Sequence, residues 1–231
     1  MPRRRRAALT GLTTRLSRAA SRQYREIRRA GGAPRAARGP PRRTAGTSAQ
    51  RRAFNAQARR EGCIVDRQLD TLAALPTDAR RQRYLNRYAL PQTKGHWTWL
   101  QQNRLVIVDS QVGVSTTPSP REDARTDLIC VREGVTYVVE IKSPKRSVYA
   151  YYAAAMRRNS QADLTHRQYL EQTRLCTLAY GRKAGIPKDA LVGILLIAGT
   201  CMRAIANVVL PKSTSLSQLD LNPQAAYSAA A

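Results

Sequence analysis

The sequence predicts a mixed α/β domain, a β-sheet flanked by helices, behind a basic N-terminal arm. Three observations predict it. Helical patterns with capping and stop signals occupy residues 53–88 and 164–184, while β-branched runs bounded by turn residues fill 105–142 and 190–210. The first 50 residues combine Arg with Ala, Gly and Pro, a composition that cannot bury a core.

Each element has a local reason. Ala53 to Leu75 reads as a helix that ends before Pro76, and Thr77 is a candidate N-cap for a second helix running to Tyr88, ahead of Pro91. From Arg104 the segment LVIVDSQVGVSTT is β-branched and reads as a strand or a hairpin. Thr126 to Val131 is a second strand, Glu133-Gly134 a turn, and Val135 to Lys142 a third strand. Residues 143–163 read as irregular or partly helical, with a basic and aromatic bias. Leu164 to Ala184 is the strongest helix, stopped by Gly185 and Pro187. Ala190 to Ala198 is a fully apolar strand, and Arg203 to Leu210 is expected to pair near it. The chain thus divides into an arm (1–50), a folded domain (51–212) and a loose tail (213–231).

The chain has 231 residues, 42% hydrophobic and 24% charged, enough to bury a core, with a net charge of +25. Residues 1–60 carry 18 Arg against one acid, Glu26, and only six of the 40 basic residues are Lys. Arg is favoured where a planar fork grips phosphate, so a polyanion is the expected partner. In the arm, Leu9, Leu12, Leu16 and Ala20 lie near one face of a short helix expected to form on such a polyanion. The PRRRR run at Pro2 reads as a nuclear-import signal, which implies the nucleus (a host nucleus for a viral protein), and otherwise the cytoplasm. No apolar run approaches the roughly 18 residues of a membrane span, and no secretory h-region is present, so neither membrane insertion nor export is expected. Cys63, Cys130, Cys176 and Cys201 are scattered, unlike a zinc site or a disulfide framework, and read as buried free thiols.

The chemistry concentrates in TDLICVREGVTYVVEIKSP, Thr126 to Pro144. Alternation in a strand sends Val135, Tyr137, Val139 and Ile141 to one face and Thr136, Val138, Glu140 and Lys142 to the other. The turn at Gly134 folds the preceding strand alongside, which brings Asp127 toward Glu140. Two carboxylates and the Ile141 carbonyl can hold Mg²⁺ or Mn²⁺, hard cations that prefer oxygen. Lys142 can position or deprotonate a water, or offset charge in a transition state. The alternative for these residues is an ordinary salt bridge at a sheet edge.

Asp127, twelve residues, then Glu140-Ile141-Lys142 resembles the motif of the PD-(D/E)XK nuclease superfamily, and YVVEIKSP is similar to its λ-exonuclease-like and RecB-like branches. The resemblance covers about residues 55 to 210. It implies a restriction-endonuclease-like fold with an α-β-β-β-α-β core and a Mg²⁺ or Mn²⁺ cofactor. Thr126 stands where the family has Pro. REGCIVDRQLDTL resembles the family's first core helix, which implies Asp66 as a further metal ligand, with Glu61 a weaker candidate. YLEQTRLCTLAYGR resembles the Q-x-x-x-Y helix, with Gln172 to orient the lysine or contact the phosphate strand and Cys176 in place of the Tyr. Tyr169, Gln172, Cys176 and Tyr180 share one side of that helix, and Leu164, Leu175 and Leu178 on the other are expected to pack on the sheet.

PKRSVYAYYAAAMRRNS follows the catalytic strand. Lys145, Arg146, Arg157 and Arg158 are candidate phosphate contacts, and Tyr149, Tyr151, Tyr152 and Tyr169 are candidate base or backbone contacts. Aromatic packing is the competing use of these tyrosines, and core packing the expected use of His96, Trp97 and Trp99. The expected function is a metal-dependent deoxyribonuclease acting on double- or single-stranded DNA. The λ-like resemblance leans toward an exonuclease in replication or recombination of a virus or mobile element. It also admits a homo-oligomer and a recombination or replication partner protein. The alternatives are an endonuclease or junction resolvase of the same fold, an RNA-directed nuclease, or a non-catalytic Arg-rich packaging protein.

Overall fold

Thr77 does what its sequence position predicts. Its side-chain oxygen accepts the Arg80 N–H at 3.3 Å and starts a helix that closes at Tyr88. The computed structural model of the protein describes residues 12, 16, 47–117, 121–144, 149, 150, 152 and 164–210. Along them run α1 (Ser48–Ala74), α2 (Asp78–Arg87), α3 (Pro91–Gln102), β1 (Val106–Val114), β2 (Ala124–Arg132), β3 (Val135–Lys142), α4 (Leu164–Ala184), β4 (Leu191–Ala198) and β5 (Ala204–Leu210). The C-terminal tail and most of the arm lie outside the described residues.

The five strands form one mixed sheet in the order β1-β2-β3-β4-β5. β1, β2 and β3 are antiparallel neighbours, β3 and β4 run parallel, and β5 returns antiparallel to β4. A two-residue turn joins β2 to β3 because Glu133 (φ 50°) and Gly134 (φ 76°) both take left-handed backbone, the conformation that matches strand twist. A parallel neighbour needs a crossover, which α4 supplies between β3 and β4.

Helices cover both faces. On one, Val65, Leu69 and Leu72 of α1 and Trp97, Trp99 and Leu100 of α3 pack with Leu128, Cys130, Tyr137, Val139, Ile141 and alternate residues of β4. On the other, α4 lies close against β4. A Cβ at Gly193 would come within 2.6 Å of Thr177 Oγ1, so only glycine admits this approach. Among the described residues no helix is long and apolar enough to cross a membrane.

Several expectations are corrected. Residues 91–102 form a helix the sequence did not announce, because its polar residues and Gly95 obscure the period while Pro91 is well tolerated in a first helical turn. Of the strand and the hairpin open to the LVIVDSQVGVSTT segment, it forms the strand, Val106–Val114. The face that α4 turns to the sheet is not leucine-rich. Thr173, Cys176, Thr177 and Ala179 are buried there, while Leu175 is partly buried against a cluster containing Leu12. Small side chains win because the helix sits so close. Cys63 and Cys201 are exposed, whereas Cys130 and Cys176 are buried. Two residues of the arm, Leu12 and Leu16, pack on the domain. Leu12 is buried with Val114, Ala124, Cys176 and Ala179, and the Leu16 carbonyl accepts the Gln168 side-chain amide at 3.1 Å.

Candidate active site

The antiparallel register of β2 and β3 runs from Arg132↔Val135 to Leu128↔Val139. The next position in that register sets Asp127 opposite Glu140, at the point where the strands part. Asp127 takes the place of the missing rung, because its Oδ2 accepts the Ile141 N–H at 2.7 Å. In an extended strand a residue's N–H and C=O point to the same edge, so the Ile141 carbonyl also turns toward Asp127. The Ile141 side chain points into the core on the α1–α3 face.

Glu140 is only 2% exposed and sits on the α4 face of the sheet. Its Oε1 accepts from Lys142 Nζ and from Gln172 Nε2, the latter at 2.5 Å. Its Oε2 is buried and has no hydrogen-bond partner among the described residues. Gln172 therefore grips the carboxylate rather than the lysine. Lys142 Nζ also lies 5.2 Å from the centroid of the Tyr169 ring. Strand alternation thus brings Glu140 and Lys142 together as the sequence predicts, and α4 adds Gln172 and Tyr169 from above.

The electrostatics are those of crowded acids in a dry site. Burial first, then Asp127, pushes the Glu140 carboxyl up to about 8 against the pull of Lys142. Burial, with Asp127 and Asp70 adding to it, pushes Asp66 on α1 up to about 7. Burial likewise raises Asp127, although Lys142 and the Ile141 N–H oppose it. For Lys142 burial acts downward, but Glu140 and Asp127 outweigh it and hold the ammonium well above its ordinary range. His96 is fully buried, its pKa lowered to about 3 by burial, and its Nε2 lies 3.1 Å from the Ser143 hydroxyl. This neutral imidazole anchors the chain just beyond Lys142.

These residues suit a hard divalent cation. A buried carboxylate oxygen without a partner among the described residues, a second carboxylate and a peptide carbonyl occupy facing or adjacent positions of β2 and β3, and positive charge would oppose the upward shifts of the acids. Among the described residues no three His, Cys, Asp or Glu side chains gather into a ready-made cage. Asp66 is near enough for its charge to act on Glu140, yet it does not complete such a cage. Glu61, the weaker candidate, hydrogen-bonds Gln57 on its own helix instead.

The residues expected to contact nucleic acid fare differently. Lys145, Arg146, Tyr151, Arg157 and Arg158 lie outside the described residues. Tyr149 (8% exposed) and Tyr152 (2% exposed) are not open stacking platforms; they are buried against Leu195, Ile197 and Ile205 of β4 and β5. Tyr169 is half-buried beside them. One contributor was missed in the sequence. Gln111 of β1 follows Ser110↔Leu128 and precedes Val112↔Thr126 in the register, and so stands abreast of Asp127. Its φ is +52°, and its side chain acts to hold the Asp127 carboxyl ionised. No local pattern marks it, since only strand pairing brings it there. Compared with protein-family models, curated proteins and solved structures, the chain has no match in any of the three.

Proposed function

We propose that the protein is a Mg²⁺- or Mn²⁺-dependent deoxyribonuclease with a PD-(D/E)XK-type site. The observation that carries this reading is the meeting of Asp127 with Glu140 and Lys142 at the splayed end of β2 and β3, with Glu140 Oε2 left without a partner among the described residues. The succession of helix, three antiparallel strands, crossover helix and parallel strand supports the nuclease-like arrangement.

Asp127, Glu140 and the Ile141 carbonyl would hold the ion, with Asp66 beside them. When bound, the ion would lower the pKa of a water and draw negative charge from the scissile phosphate. Gln172 fixes the Glu140 carboxylate through Oε1, which leaves Oε2 for other partners. Lys142, kept protonated by Glu140 and Asp127, fits the offsetting of phosphorane charge better than the role of base. The Arg-rich arm supplies sequence-independent hold on the phosphate backbone and, through its PRRRR run, entry to a nucleus. The lean toward an exonuclease of viral or mobile-element replication or recombination comes from the λ-like character of YVVEIKSP.

The deciding experiment offers purified protein end-labelled linear duplex, closed circular DNA and RNA, each with Mg²⁺ or Mn²⁺. Degradation of the linear duplex but not the circle is expected, lost in Asp127→Ala and Lys142→Ala while DNA binding persists. Cutting of the circle would make the enzyme an endonuclease. Wild-type protein that binds DNA and cuts nothing with either metal would be the non-catalytic packaging protein that a charge of +25 also suits.

A further inference from the structure

We propose that Tyr169, braced by the buried Tyr152, is a positioning residue that holds the Lys142 ammonium in the catalytic site rather than a platform for a nucleic-acid base. The proposal rests on the nuclease reading above for what Lys142 does, but not for what holds it.

A lysine side chain is a flexible stem with a strongly hydrated head, so an ammonium at a fixed place needs more than one attraction. Here there are two. Glu140 Oε1 accepts its hydrogen bond from one side, and the Tyr169 ring faces it from another, 5.2 Å from Nζ to the ring centroid and within the range of a cation–π contact. The two differ in kind. A carboxylate, as Glu140 and Asp127 are, offsets the charge that Lys142 is to present to phosphate, whereas an aromatic face attracts the ammonium and leaves its full charge in place.

Tyr169 is held in turn. It precedes Gln172 by three residues on α4, so one face of one helix carries the group that fixes Glu140 and the group that fixes Lys142. Its ring lies 5.8 Å from that of Tyr152, tilted by 52°, and the two side chains share a hydrogen bond. Tyr152 is 2% exposed and packs with Leu195, Ile197 and Ile205. A continuous line of contact therefore runs from β4 and β5 through Tyr152 and Tyr169 to the ammonium. That line explains why these tyrosines face inward from a segment otherwise rich in Arg.

The test compares Tyr169→Leu, which keeps apolar bulk and loses the aromatic face, with Tyr169→Phe, which keeps the face. Two readouts are needed. The first is single-turnover cleavage of linear duplex together with DNA affinity. Tyr169→Leu is expected to slow cleavage about three- to thirty-fold with affinity within about twofold of wild type, and Tyr169→Phe to stay within about threefold on both. A stacking platform gives the opposite split, with affinity weakened about tenfold or more and the cleavage step unchanged once DNA is bound. The second readout needs no cleavage. The rate at which an amine-acylating reagent labels Lys142, followed by mass spectrometry in metal-free protein, is expected to rise several-fold in Tyr169→Leu and not in Tyr169→Phe. Should the Leu variant fail to fold, Tyr169→Met serves the same purpose. Labelling and cleavage both at wild-type rates in the Leu or Met variant would overturn the proposal. Wild-type protein that cuts nothing, with labelling still raised in the variant, would overturn the nuclease reading and leave the positioning role standing.

Discussion

Raising the pH of the metal-free protein from 6.5 to 8 should lower its stability by about 2 kcal/mol, the reverse of what acid denaturation leads one to expect. The cause is the crowded acids. Glu140 is raised from 4.5 to about 8 and Asp66 from 3.8 to about 7, both chiefly by burial. A carboxyl whose folded pKa lies above its unfolded one contributes its full stability below the unfolded value, near pH 4, and loses it as pH rises through the folded value. Between those limits each group protonated only in the native state costs about 1.4 kcal/mol per pH unit. His96, lowered from 6.5 to about 3, has the opposite sign, and its unfolded-state titration returns only about 0.4 kcal/mol between pH 6.5 and 8. Lys142 is protonated in both states throughout the window. Across 1.5 pH units, these two partly titrating acids, less the His96 return, give about 2 kcal/mol, and Asp127, raised in the same direction, acts with them. The assay is urea unfolding in the presence of a chelator at both pH values. Mn²⁺ at a hundred times its dissociation constant should restore about 2.7 kcal/mol at pH 8. Joint Glu140→Gln and Asp66→Asn substitution should flatten the slope whatever it does to the absolute stability. A stability that is constant or rises from pH 6.5 to 8 without metal would refute the reasoning.

Gly193→Ala would set a methyl group 2.6 Å from Thr177 Oγ1 and push α4 off the sheet, so a loss of about 1–3 kcal/mol is expected in urea unfolding. Cleavage should fall in the same variant, because Gln172 moves with that helix. Tyr152→Ala should cost about 3 kcal/mol by thermal or chemical unfolding, since the ring is buried; a change in DNA affinity with no loss of stability would contradict that placement. Gln111→Gly should relieve a left-handed backbone and raise stability by about 1 kcal/mol while weakening Mn²⁺ binding measured by calorimetry, a split that simple loss of structure would not produce.

The fold was legible where its cause was local. Thr77 caps its helix, Glu133-Gly134 turns its hairpin, and the period of two in Val135–Lys142 assigns every residue of that strand to its face. The pairing of Asp127 with Glu140 was legible too, because a two-residue turn fixes the register that follows. α3 was not, because its burial comes from α1 and the sheet rather than from its own pattern. The leucines of α4 misled for a related reason. Hydrophobic spacing reports which side chains prefer burial, but the gap between helix and sheet decides which sizes fit, and at Gly193 it admits only small ones.

By itself, then, the sequence determined the strands, their alternation and the acid–lysine pair, since each follows from residues within a hairpin's length. Tertiary structure alone decided that Gln172 grips Glu140, that Tyr169, backed by Tyr152, closes on Lys142, and that Gln111 stands abreast of Asp127. Those contacts join residues from separate elements, and no local preference encodes a distance set by how a helix settles on a sheet.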